Sequence, residues 1–149
     1  MGVAYVPMLL DDDMRRWLES EGVASPERDT PSRWPTPREL RAVLTEMNGC
    51  DVTYRDNTDG GWDAEVVERP VDSRSQHATI WTKQLASTDV PAPFSFHKSS
   101  VELALVILER LSHVCGPLVL VDDSTMAPMV VTPGCDVREL ARRHFGTPV

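Results

Sequence analysis

The order of hydrophobic periodicities predicts an α+β fold, with a mostly antiparallel sheet of about five strands and helices packed on one face. Three observations carry this prediction. Apolar residues recur at helical spacing after capping signatures at Thr36, Ser99 and Asp136. Two short alternating stretches, 52–66 and 118–131, are each divided by a polar, turn-forming cluster. Strands also follow helices in groups instead of alternating with them singly, as they would in a doubly wound chain.

In chain order, Met1 to Leu10 is apolar but has no basic leader and runs into Asp11-Asp12-Asp13, so it does not read as a signal peptide. Val6 occupies the position where N-myristoylation needs Ser or Thr. Asp11 to Glu21 is a short helix with aspartates at its positive end, Met14, Trp17 and Leu18 on one stripe, and Gly22 at the exit. Val23 to Pro35 is rich in proline and polar residues, an irregular connector. Residues 1–35 are therefore expected as an arm laid on a single domain of residues 36–149. Trp17 and Trp34 make that arm a candidate surface for homo-oligomer formation.

Thr36-Pro37-Arg38-Glu39 combines a cap, a first-turn proline and a capping box, and Leu40, Val43, Leu44 and Met47 form a stripe. A helix over Pro37 to Asn48 follows. Val52 and Tyr54, then Trp62, Ala64 and Val66, alternate on either side of Asn57-Thr58-Asp59-Gly60-Gly61, which predicts a hairpin. A further strand is expected from Ala78 to Lys83, and Thr88 to Pro93 is too proline-rich for regular structure. Ser99 and Glu102 repeat the capping-box spacing and open a helix to about Val114 that stops at Gly116-Pro117. Its apolar residues cover more than half the helical wheel, which makes it the most buried helix. Leu118 to Val121 and Met129 to Val131 flank the reversal at Asp122-Asp123-Ser124-Thr125. Asp136 then caps a terminal helix carrying Val137, Leu140, Ala141 and Phe145.

At 149 residues the chain has the size of one self-sufficient domain. Its formal charge of -8 argues against nucleic acid as a partner, because phosphate neutralisation needs a surplus of Lys and Arg. The same acidity suits a basic protein surface. Cys50, Cys115 and Cys135 are an odd set without Cys-x-x-Cys spacing, which points away from a disulfide framework or zinc ribbon and toward a reducing cytoplasm. No stretch reaches membrane-spanning length.

Two residue groups stand out for chemistry. The hairpin carries Asp56, Asp59, Asp63, Glu65 and Glu68 against a single nearby base, Arg55. No register meets the oxygen, glycine and glutamate positions of a calcium loop, so the patch reads as a solvated turn or, functionally, as an acidic surface with Trp62 as aromatic anchor. Elsewhere, His97, Lys98, Ser99 and Ser100 meet at a helix N-terminus, where free amides favour an anion, although Ser99 has a capping role there. His113 and Cys115 point away from each other on one helix, and His77, His97, His113 and His144 include no pair at i, i+4. Asp122 and Asp123 could divide acid and base roles, but aspartates in a reversal ordinarily serve the turn. Ser124 lacks a nucleophile elbow.

Phe96 through Ser99, Glu102-Leu103-Ala104, Leu111, Cys115-Gly116-Pro117-Leu118-Val119-Leu120 and Asp122-Asp123 form a pattern that resembles small bacterial proteins associated with polymorphic-toxin immunity. The likeness spans Thr36 to Thr132 and rests on cap, core and turn residues, so no binding or catalytic position comes with it. It implies a non-enzymatic protein that masks a partner, and an acidic surface would suit a basic toxin. The expectation is a cytoplasmic, cofactor-free protein that binds a basic protein through Asp56, Asp59, Trp62, Asp63 and Glu65. The rival expectations are a small-anion binder or enzyme at His97 to Ser100, and an assembly domain using residues 1–35.

Overall fold

The structure, a computed structural model, describes residues 5–26, 31–56, 61–69, 76–82 and 90–144. Seven strands and four helices follow one another there: β1 (Tyr5–Leu9), α1 (Asp12–Ser20), α2 (Pro37–Thr45), β2 (Cys50–Asp56), β3 (Trp62–Glu68), β4 (His77–Thr82), β5 (Phe94–His97), α3 (Val101–Cys115), β6 (Leu118–Asp122), β7 (Ala127–Val131) and α4 (Val137–His144). The fold is α+β and every strand pairing is antiparallel. The strands form two sheets in place of one, in the orders β1-β6-β7 and β2-β3-β4-β5. Strand β5 lies alongside β1, so the two sheets meet at these edges.

Helix α3 is the centre of the core. Ala104, Leu105, Ile107, Leu108 and Leu111 are fully buried, in keeping with its wide apolar face. They pack with Leu40 and Leu44 of α2, with Val66, Ile80 and Phe96 of the larger sheet, and with Leu118 and Leu120 of β6. Ala141 of α4 joins the same cluster. Strand β6 is buried on both faces, because Val119 and Val121 point the other way and meet Leu10, Met14 and Leu18. Helix α1 thus covers the face of β6 opposite α3, and not all helices lie on one side.

Residues 5–26 are consequently built into the domain and do not form an arm laid upon it. The apolar opening is an edge strand paired along its whole length with β6, from Tyr5 opposite Asp122 to Leu9 opposite Leu118. Trp17 and Trp34, expected to be sticky, are half-buried, and the Trp34 ring meets Phe94 edge-on at 6.0 Å. Strand β5 was hidden behind its neighbouring prolines, although Phe94 and Phe96 alternate with Ser95 and His97 as a half-buried strand requires. Helix α2 ends at Thr45, short of Asn48, as the amide of Met47 bonds back to the Leu44 carbonyl.

Helix starts are resolved residue by residue. Thr36 and Glu39 form the expected reciprocal capping box, and Asp11 and Asp136 accept from the amides of Met14 and Glu139. The box at Ser99 does not form. Helix α3 is instead capped at Ser100, whose hydroxyl makes no capping bond and accepts from the His77 amide, while the Ser99 hydroxyl accepts from that of Thr79. Tertiary bonds to β4 have displaced the local ones.

Residues 31–35 strap the C-terminus of α3. The Arg33 amide donates to the Cys115 carbonyl, and the Ser32 hydroxyl donates to the Pro117 carbonyl while accepting from the Leu10 amide. The Arg33 guanidinium grips the Glu39 carboxylate through two bonds of 2.8 and 2.9 Å and holds its pKa down at about 2. Because the folded pKa lies below the ordinary 4.5, the associated stability is fully present above pH 4.5 and disappears as pH falls through 2. Solvent screening at the partly exposed Arg33 limits the contribution to about 1–2 kcal/mol. The melting temperature of Glu39→Gln should therefore lie below that of the wild type at neutral pH, and the gap should narrow in strong acid. A constant gap would refute the linkage.

Candidate functional site

The four-stranded sheet presents two unlike faces, as strand alternation dictates. Trp62, Ala64, Val66, Ala78, Ile80, Phe94 and Phe96 point toward α3 and are buried. The opposite face carries the polar positions, exposed or half-buried, of all four strands. Across it the register aligns Arg55, Asp63, Trp81 and Ser95 in one row and Thr53, Glu65, Thr79 and His97 in the next.

Trp81 is the one Phe, Tyr or Trp on this face among the described residues and is 46% exposed. Its ring stacks on the His97 imidazole at 3.7 Å with an interplanar angle of 25°, a diagonal contact between neighbouring strands. The Ser95 hydroxyl bonds His97 Nε2 at 3.0 Å and fixes the second side of that ring. A flat, largely preordered aromatic platform results, with Asp63 directly opposite Trp81 and Glu65 in the row beside it. Arg55 binds Asp63 at 2.6 Å, while Asp51 and Glu65 are exposed on the same face.

The sequence-predicted acidic residues are only partly brought together. Asp63 and Glu65 share the open face. Asp56 sits at the end of β2 and pairs with Arg41 at 3.4 Å, and Asp59 lies outside the described residues. Trp62 is not an exposed anchor: it is 5% exposed and packs edge-on against Tyr54 at 5.7 Å. The Arg41 guanidinium covers this pair, 4.1 Å from the Tyr54 ring and 5.6 Å from that of Trp62. The strand parity that buries Trp62 turns Trp81 outward. Alternation along β4 puts Ile80 and Trp81 on opposite faces, and packing of Ile80 into the core decides that Trp81 is the outer one.

The His97 to Ser100 group diverges. His97 belongs to the aromatic platform, Lys98 adopts a left-handed backbone with φ 49°, and both serine hydroxyls are engaged with β4. The carboxylate of Glu102, held by Gln76 at 3.0 Å, occupies the first turn of α3, where an anion would have to approach.

The remaining candidates have structural duties. Asp122 is buried and accepts from both the amide and the hydroxyl of Ser124, an Asx-type turn joining β6 to β7. Cys115 is buried, and desolvation pushes its thiol up to about 11, far from a nucleophile's range. His113 pairs with Glu109 at 2.5 Å one turn earlier on α3. Among the described residues, no three His, Cys, Asp or Glu gather as metal ligands would, and no helix is long and apolar enough to cross a membrane. Compared with models of known protein families, with curated proteins and with solved structures, the chain matches none.

Proposed function

We propose that the protein is a non-enzymatic binding protein that recognises a basic protein partner through the open face of β2-β3-β4-β5. The observation that carries this reading is the exposed Trp81–His97 stack set beside Asp63 and Glu65. A rigid aromatic with low conformational entropy makes an effective interface anchor, and carboxylates around it select a cationic surface and speed its approach. The net charge of -8 adds long-range attraction of the same sign. A masking role of the immunity type fits this surface, since occlusion of a basic toxin needs complementary shape and charge and no chemistry of its own.

Affinity purification from the native cells tests the reading when wild type is run beside Trp81→Ala and the double variant Asp63→Asn, Glu65→Gln. Wild type should retain a stoichiometric basic protein at low ionic strength and release it at high salt. With the companion in hand, Trp81→Ala should weaken binding by about 2 kcal/mol, chiefly through faster dissociation. The charge variant should mainly slow association. Binding unaffected by salt and by all three substitutions would remove this face from the interface.

A further inference from the structure

Among the described residues, two strands end their sheets without facing another sheet edge, namely β2 and β7, because β1 and β5 face each other. The two free edges differ. Strand β7 carries Pro128, which removes a backbone donor, whereas every residue of β2 keeps one. Strand β2 is seven residues long and its middle residue is Thr53. Around that centre the two charges of the open face are antisymmetric, with Asp51 two residues to one side and Arg55 two residues to the other, while the third charge, Asp56, lies at the strand end with Cys50 as its counterpart.

We propose that β2 pairs with β2 of a second copy of this chain, antiparallel about a two-fold axis at Thr53, joining the two four-stranded sheets into one of eight. This register aligns all seven residues with their counterparts. Thr53 meets Thr53, and Asp51 of each copy lies opposite Arg55 of the other on the open face, which gives two opposite-charge cross-strand pairs. Val52 of each copy meets Tyr54 of the other on the inner face. Both are half-buried in the single chain and pack beside the main core, so pairing extends that core across the axis. Within the chain Asp51 meets Arg69 at 3.4 Å, a pair exposed at both ends and weak enough to be exchanged, whereas the exposed Arg55 guanidinium meets the mostly buried Asp63 at 2.6 Å and would be shared between Asp63 and Asp51 of the second copy. A register displaced by one residue would turn the apolar Val52 and Tyr54 of one copy to the wrong face, so the charge pattern and the apolar pattern select the same alignment.

The test is a charge exchange read by mass in solution over a concentration series. Wild type should approach twice the 16.6 kDa of the chain. Asp51→Arg places Arg opposite Arg twice, and Arg55→Asp places Asp opposite Asp twice, so either variant alone should dissociate at least roughly tenfold more readily. An equimolar mixture of these two variants should recover the double mass as a heterodimer, and so should the single chain carrying both changes. Far-ultraviolet circular dichroism checks that each variant is folded, as exposed positions allow. Thr53→Cys should form an intermolecular disulfide under mild oxidation, since residues opposite each other across antiparallel strands lie within bridging distance. A wild type that stays at single-chain mass throughout, or a dimer indifferent to both single reversals, would overturn the proposal. Neither result bears on the basic partner, whose binding is read separately at Trp81 and Asp63.

Discussion

Gly116→Ala is expected to be among the most damaging single substitutions in the chain. A Cβ at Gly116 would sit 1.8 Å from the carbonyl oxygen of Pro31, a backbone atom that has no rotamer by which to move aside. The position also has a φ of +81°, strained for any L side chain. Relief requires the 31–35 strap to lift, which removes the bonds from Arg33 to Cys115, from Ser32 to Pro117 and from Leu10 to Ser32. Strain and lost hydrogen bonds together should destabilise by at least about 3 kcal/mol, a large part of the stability of a typical domain. Gly22→Ala provides the control: its φ is +70° but nothing lies within 4 Å of the added methyl, so about 1 kcal/mol of backbone strain is all it should show. Equal melting-temperature losses for the two variants would mean that the strap is free to move.

That contrast shows which parts of the molecule could be read from the sequence. Gly116 was legible as a helix stop, because Gly-Pro after an apolar run is a local signal. Its contact with Pro31 was not, since nothing local joins positions so far apart. The same division runs through the fold. Helix α2, the hairpin of β2 and β3, and the β6–β7 reversal follow from caps, alternation and turn residues that act within a few positions. Strand β1 escaped because Val6 and Met8, its exposed positions, are apolar, so the polar half of the alternation is missing. The Ser99 capping box failed because β4 offers amides that compete for both serine hydroxyls. In the site, Asp63 and Glu65 were identified as part of an acidic surface, but the choice of Trp62 over Trp81 depended on which face of the sheet α3 covers. Parity along a strand is visible in a sequence, whereas its sign is set by packing.

The N-terminal segment offers the second large effect. Leu18 is fully buried and packs with Leu10, Met14, Val119 and Val121, so Leu18→Ala should lose about 2–5 kcal/mol through the removed contacts and the cavity left behind. Trp17→Ala, one residue earlier at a half-buried position, should lose less despite deleting a larger side chain. Removal of residues 1–35 acts on the same cluster more severely. It strips β1 from one edge of β6 and α1 from one of its faces, leaving Val119 and Val121 in water and the β6 backbone unpaired on that side. The shortened chain 36–149 should therefore lose its cooperative thermal transition and bind hydrophobic dye as a loosely packed state does. Cooperative melting of that chain near the wild-type temperature, together with a mild Leu18→Ala, would mean that the first 35 residues are an accessory after all. The combination of a severe Leu18→Ala and a non-cooperative truncation would place β1 and α1 among the elements on which the central strand depends.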